Sequence, residues 1–268
     1  MKTIDWSRQT IVLTGASGGL GEALAEALGK KGARLILVGR SAEKLEALAA
    51  RLQQTPFVAD ITAHSERQRL YQFIQQQARP LTGLINNAAV THEGLFRGAS
   101  AEDIELVIST NLTAPVALTH QLLPLLGNEQ GWALNVGSVF GAIGFPGQAL
   151  YCASKFGLRG FTQALQRELK PSDVRVMYAA PRAIKTSLNH GVLNRLNQRL
   201  NTPQDQPQQV AQQLVKQIER QQLLQTLGWP ERLLVRLNGL WPEQVSRSLG
   251  KTRNMLYQLI EEYRHEKN

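Results

Sequence analysis

The chain has 268 residues, 43% hydrophobic and 19% charged, enough apolar content to bury the core of one large α/β domain. Its formal net charge is +9, yet the basic residues are dispersed, with no Lys/Arg run and no nucleic-acid motif. Such a balance suits a phosphorylated cofactor or an acidic substrate, and no nucleic-acid partner is expected. The one cysteine, Cys152, excludes an internal disulfide and a multi-cysteine metal site. No metal is expected, and Cys152 itself reads as small buried filler. Residues 1–10 are polar, without an apolar signal region, and no apolar stretch approaches the ~20 residues that span a bilayer. A cytoplasmic setting is the expectation.

Apolar runs alternate with amphipathic stretches from the start. Residues 10–14 predict a buried strand and 21–31 a helix closed by Gly32. A strand follows at 34–38, a helix at 42–52 with Ser41 as N-cap, a short strand at 56–59, a polar amphipathic helix at 65–77 and a strand at 83–86. The long stretch 101–126 predicts one helix, bent at Pro115. Then come a strand at 132–137, a long helix at 150–169, a strand at 174–180 and a weaker seventh strand at 223–227. Strands and helices in this alternation predict a doubly wound, Rossmann-type parallel sheet of about seven strands, with ligands at the carboxyl ends of the strands.

After Thr186 the texture changes. A helix is predicted at 188–200, a Gln- and Pro-rich linker at 201–207, and a Gln-rich helix at 208–222 with Val210, Leu214 and Ile218 on one face. Two amphipathic helices complete the tail, one carrying Leu233, Leu234, Leu237, Leu240 and Trp241, the other Met255, Leu256, Leu259, Ile260 and Tyr263.

Between the first strand and helix lies Thr14-Gly15-Ala16-Ser17-Gly18-Gly19-Leu20-Gly21. Glycines there let a turn close, let backbone approach a diphosphate, and let the helix pack tightly on the strand. The helix N-terminus offers free N–H groups to phosphate. At the end of the second strand, Val38-Gly39-Arg40-Ser41 lacks the acid that usually holds the ribose hydroxyls of NAD. Arg40 can instead pair bidentately with a 2′-phosphate. A solvated surface arginine is the plain alternative; the missing acid favours NADP(H) over NAD(H).

Tyr151 and Lys155, four residues apart, share one face of a predicted helix. A neighbouring ammonium lowers a tyrosine pKa from about 10 toward the useful range. Ser138 ends the fifth strand, placed to hydrogen-bond a substrate carbonyl. Each feature alone arises by chance. Together the glycine loop, Asn86-Asn87-Ala88-Ala89, Ser138 and Tyr151-Cys152-Ala153-Ser154-Lys155 fall in order, each at the carboxyl end of a strand or the start of the next helix.

On these motifs the chain resembles the short-chain dehydrogenase/reductase family, over about residues 8 to 228. TGxxxGxG matches Thr14–Gly21, NNAG matches Asn86–Ala89, the active-site serine matches Ser138, and YxxxK matches Tyr151 to Lys155. Asn111, in Thr110-Asn111-Leu112, matches the fourth member of the tetrad. The resemblance implies that Tyr151 exchanges a proton with the substrate oxygen, that Ser138 orients that oxygen, and that Lys155 holds the nicotinamide ribose. It implies a water-linked proton relay supported by Asn111. It places Gly15, Ser17, Gly18, Gly19, Leu20, Gly21 and Arg40 on the cofactor, Asp60 and Ile61 at adenine, Asn87 and Ala88 along the cleft, and Pro181, Ile184 and Thr186 at the carboxamide.

The chain departs from the family pattern at two positions: Ala89 stands for the glycine of NNAG, and Arg182 for the glycine of a Pro-Gly pair. The implied organisation is a catalytic domain over 1–229, with a substrate-binding loop at 182–207, and a helical extension over 230–268 packed on it. The implied activity is reversible hydride transfer between NADP(H) and a carbonyl or alcohol of a fairly apolar small molecule, by a homodimer or homotetramer. The alternatives are a 3-oxoacyl-thioester reductase and a non-catalytic NADP(H)-binding regulator. Arg182, Lys185, Arg195 and Arg199, with no acid between residues 182 and 200, read first as a solvated helix face, and alternatively as a loop that attracts an anionic substrate. Pocket cover or subunit contact is the expected role of the tail. Peripheral membrane contact, suited by Arg232, Arg236, Arg247, Lys251 and Arg253 but diluted by Glu261, Glu262 and Glu266, ranks behind them.

Overall fold

Every residue of the first strand, β1 (Thr10–Thr14), is buried, as a central strand covered on both faces must be. Ile11 and Leu13 point into one core and Val12 into the other, the period-two alternation of a strand. In this computed structural model, which describes residues 4–92, 94–126, 131–170, 172, 174–188 and 191–267 with side chains to residue 262, β1 is joined by β2 (Arg34–Gly39), β3 (Thr55–Val58), β4 (Gly83–Asn86), β5 (Trp132–Val136), β6 (Arg175–Ala180) and β7 (Leu224–Thr226). The spatial order is β3-β2-β1-β4-β5-β6-β7, parallel throughout. The order reverses between β1 and β4, and at such a switch point a crevice opens at the carboxyl ends of the strands.

On one face pack α1 (Gly19–Gly29), α2 (Ala42–Leu52) and α8 (Pro207–Glu219), through Leu24, Leu28, Leu48, Val210, Leu214 and Ile218. On the other, α3 (His64–Gln75) and α5 (Ala114–Leu126) bury Leu70, Ile74, Leu118 and Leu122. The long helix α6 (Ala149–Glu168) adds Leu158, against Tyr178 and Ala180 of β6. A buried amide ladder ties this side together: Asn86 Nδ2 donates to Thr119 Oγ1 at 3.0 Å and Asn135 Oδ1 at 2.8 Å, and Asn135 Nδ2 to Thr162 Oγ1 at 2.9 Å. Each such amide would be costly to bury alone, so the ladder fixes α5 and α6 against β4 and β5.

The stretch expected as one helix bent at Pro115 is broken earlier. α4 (Ala101–Ile108) runs into a π-helical turn, Ser109–Thr113, before α5 begins. Pro115 sits in the first turn of α5, where a missing N–H is tolerated. Beyond β6 come α7 (Gly191–Arg199) and, after β7, three tail helices where two were expected: α9 (Glu231–Leu240), α10 (Pro242–Ser248) and α11 (Gly250–Lys267). The extra helix, α10, lies between the two predicted stripes, with Pro242 in its first turn just beyond the end of the first stripe. The predicted start of the 188–200 helix at 189–190, and the side chains of Tyr263 and Glu266, lie outside the described residues. Leu256 and Leu259 of α11 meet Val192 and Leu196 of α7 in a small core of their own.

Candidate active site

The turn after β1 is shaped by the absence of side chains. Gly15 has φ +62°, and a Cβ there would stand 2.7 Å from Ala88 Cα; one at Gly21 would stand 2.1 Å from Gly15 O. Only glycine fits either place. Thr14 Oγ1 accepts the N–H groups of Asn87 (3.0 Å) and Ala88 (3.2 Å), while Asn87 Nδ2 donates to Thr14 O (3.0 Å) and Gly15 O (3.2 Å). The carboxyl ends of β1 and β4 are thus laced together at the switch point. A Cβ at Gly19 would come within 2.9 Å of Thr186 Cγ2, so the segment after β6 closes over the N-terminus of α1. Ala89 has no positive φ, and the alanine in place of glycine carries no backbone strain there.

From this loop a cavity of about 900 Å³ runs to the ends of β5 and β6. Every residue named for cofactor or chemistry lines it except Asn111: Gly15, Ser17, Gly18, Gly19, Leu20, Gly21, Arg40, Asp60, Ile61, Asn87, Ala88, Ser138, Tyr151, Lys155, Pro181, Ile184 and Thr186. Ser41 and Lys44 line it too, beside Arg40. Asp60 is held below the usual carboxylate range: burial works against this, but hydrogen bonds from the Thr62 N–H and hydroxyl, with the charge of Arg40, outweigh it.

Lys155 is buried, its Nζ donating to Val136 O at 3.0 Å and standing 5.6 Å from the centre of the Tyr151 ring. Burial brings its pKa down to about 8. Burial also pushes the Tyr151 phenol well up, with a hydrogen bond from Ser138 pulling the other way. Burial thus works against the lowering of the tyrosine pKa that is expected from Lys155. Desolvation acts on both groups and opposes both charged forms, leaving a phenol that keeps its proton.

Behind Ser138 stands a residue the sequence did not mark. Tyr178 on β6 is fully buried; its Oη accepts from Ser138 N–H and donates toward Ser138 O and Lys155 O, each at 3.4 Å. It fills the space left by two glycines, since a Cβ at Gly137 or Gly141 would come within 2.1 or 2.2 Å of it. Gln148, also missed, is buried in the cavity wall with its Oε1 accepting from Thr91 Oγ1 at 3.0 Å. Phe140 meets the Tyr151 ring edge-on at 6.5 Å.

Asn111 is buried behind this wall. Its side chain accepts from Val90 N–H (2.8 Å) and donates to Val90 O (2.8 Å) and Ser154 Oγ (3.1 Å), so the amide pins the loop after β4 to α6. Pro115, four residues on, has no N–H to offer the Asn111 carbonyl in the α-helical register. The Asn111 amide is committed to its three hydrogen bonds with Val90 and Ser154.

The short chain dehydrogenase pattern matches residues 9–197. The chain belongs to the short-chain dehydrogenase family. It is 39% identical over 180 residues to nodulation protein G of Rhizobium sp. (strain N33), covering 66% of this chain and 74% of that one. It is 38% identical over 188 residues to a 3-oxoacyl-acyl-carrier-protein reductase, FabG, of Rickettsia bellii (69% and 76% covered). Among solved structures, a short-chain dehydrogenase from Sphingobium yanoikuyae in complex with NADPH superposes with a TM-score of 0.75 at 28% identity, over 90% of this chain and 95% of that one.

In this short-chain dehydrogenase α7 and the tail also contribute to the cavity wall. Leu193, Leu200, Leu234, Val245 and Leu249 line it, so α9 and α10 form part of its cover. Arg182 holds the cover down. Its Nε and Nη2 grip Asp205 at 3.0 and 2.7 Å, its Nη1 lies 3.5 Å from Glu231 of α9, and Gly228 makes room for it. The two acids hold the guanidinium firmly protonated. Arg199 pairs with Glu262 of α11 at 2.7 Å. The alternative of a cationic loop aimed at an anionic substrate loses two of its four cations: Arg182 and Arg199 answer acids that lie outside residues 182–200, which a reading of that segment alone omits.

Proposed function

We propose that this short-chain dehydrogenase reduces the carbonyl group of a fairly apolar small molecule with NADPH. The observation that carries the reading is the single cavity joining the glycine loop to Ser138, Tyr151 and Lys155. The chain suits a nicotinamide dinucleotide: glycines at 15, 19 and 21 leave a cradle that a Cβ would fill, and the α1 N-terminus offers free N–H groups to a diphosphate. Asp60 and Ile61 would hold adenine, Asn87 and Ala88 the cleft wall, and Pro181, Ile184 and Thr186 the nicotinamide end. Arg40, with Ser41 and Lys44 beside it, favours a 2′-phosphate over a bare ribose.

When bound, the nicotinamide supplies the hydride. Ser138 orients the substrate oxygen and Tyr151, kept protonated by burial, donates its proton to it. Lys155, a cation below a pH of about 8, stabilises the phenolate left behind. We include a homodimer or homotetramer, for which exposed Ile104 and Leu106 of α4 and Phe156 of the adjoining α6 supply an apolar face. The second reading, reduction of a 3-oxoacyl thioester, is favoured by relatives that carry that name; the neutralised Arg182 and Arg199 argue against strong attraction to an acidic carrier. A pure binding module would have no use for a proton donor at the end of the cavity.

The experiment is NADPH oxidation by the full chain across aldehydes, ketones and 3-oxoacyl thioesters of increasing length. Turnover is expected with apolar carbonyls. Failure with every class, by a protein that binds NADPH, would overturn the reading.

A further inference from the structure

From Trp229 to Arg253 the chain has one apolar side turned in and another turned out. Leu234, Val245 and Leu249 face the cavity, and Asn238 Nδ2 donates to Ala142 O at 2.8 Å, which fixes the inner side of α9. Helical spacing places Leu233, Arg236 and Leu240 on the opposite side. Trp229, Leu240 and Trp241 are the most exposed large apolar residues among those described, at 70%, 68% and 59%, and Leu233 is exposed as well. The two tryptophans bracket α9, a helix roughly 15 Å long.

The exposed charges of this stretch are mostly positive. Arg232, Arg236, Arg247, Lys251 and Arg253 are exposed, and none has a carboxylate within ion-pair distance among the described residues. Of the acids in this stretch, Glu231 turns inward to Arg182, leaving Glu243 as the exposed one. A second copy docked here about a two-fold axis would set five cations against five. Anionic lipid complements them. Tryptophan settles well at a bilayer interface, and apolar side chains flanked by Arg and Lys are the composition of helices that lie in the headgroup layer.

We propose that α9 and its flanks dock this enzyme on an anionic membrane surface. Trp229, Leu233, Leu240 and Trp241 enter the headgroup layer, and the five cations meet lipid phosphates. The inner side of the same helix covers the cavity, so docking places that cover at the lipid boundary. On the reductase reading above, an apolar substrate dissolved in lipid would then reach the cavity with little exposure to bulk water.

The test uses the full chain with vesicles of phosphatidylcholine alone or mixed with phosphatidylglycerol, read by co-sedimentation and tryptophan emission. Trp6 and Trp132 are buried, so a vesicle-induced blue shift reports Trp229 and Trp241. Binding is expected on the anionic vesicles only, falling with salt, and roughly fivefold weaker for Arg236→Gln or Lys251→Gln. The double variant Leu240→Ser, Trp241→Ser should lose binding yet keep its melting temperature and its NADPH oxidation with a water-soluble carbonyl. Three results would overturn the proposal: no binding at low salt, equal binding to neutral vesicles, or full binding by the double variant. Loss of self-association in that variant, without vesicle binding in the parent, would assign the face to a subunit contact instead. Vesicle binding is read without turnover, so it stands or fails independently of the reductase reading.

Discussion

On its sheet side the cavity is walled by backbone with almost no freedom: Thr14 and Asn87 lace two strand ends together, Gly15 and Gly21 leave no space for a methyl group, and Tyr178 braces Ser138 from behind. On its other side α7, α9 and α10 are held by a few side-chain ties, among them the guanidiniums of Arg182, Arg199 and Arg232, a few apolar side chains of α7 and α11, and Asn238. On the function proposed above, the first wall serves a cofactor and a proton transfer that tolerate little displacement. The second meets the substrate on that same reading, and its attachments allow it to vary without disturbing the chemistry.

Substitutions should separate the two walls. Gly21→Ala, which would put a methyl group 2.1 Å from Gly15 O, should cost about 2–4 kcal/mol of stability and abolish dinucleotide binding, by denaturant unfolding and NADPH fluorescence titration. Arg40→Ala should weaken NADPH by roughly 10- to 100-fold, the loss of a charge-assisted pair, while NADH kinetics stay level. An equal loss for both cofactors would place Arg40 on the surface.

Arg182→Ala leaves Asp205 and Glu231 without their cation. It should cost roughly 1–3 kcal/mol and raise the substrate KM with NADPH affinity unchanged. A loss of NADPH affinity instead would tie Arg182 to the cofactor wall. The smallest effect is one of pH. Burial lowers the Lys155 pKa to about 8, so the ammonium is present below that value and lost above it. The rate of reduction should hold near neutrality and fall as pH rises through about 8. A profile flat to pH 10 would deny Lys155 its electrostatic role.

The sheet side was the legible one. Its signals are local: the glycine loop, Arg40 and the Tyr151/Lys155 pair each lie within a few residues, at ends of elements set by hydrophobic period. What escaped depends on partners distant in the chain. Tyr178 looks like any aromatic in a buried strand until the fold brings it behind Gly137 and Gly141. Asn111 was recognised by position, but its engagement with Val90 and Ser154, 21 and 43 residues away, was not. Arg182 read as a free cation because Asp205 and Glu231 reach it only through the bridge of Ile184 with Asp205 and the return of the chain into α9. The π-helical turn has no local signature of its own, and Pro115 just beyond it is the feature the sequence displays.

The most direct measurement is the turnover of Tyr151→Phe with NADPH and a responsive carbonyl, beside its NADPH dissociation constant. The account predicts turnover down by roughly 10²–10⁴-fold or more, the scale of a lost general acid, with NADPH affinity within about twofold of the parent. Turnover close to the parent's would contradict it, and the proton would have to come from another group in the cavity.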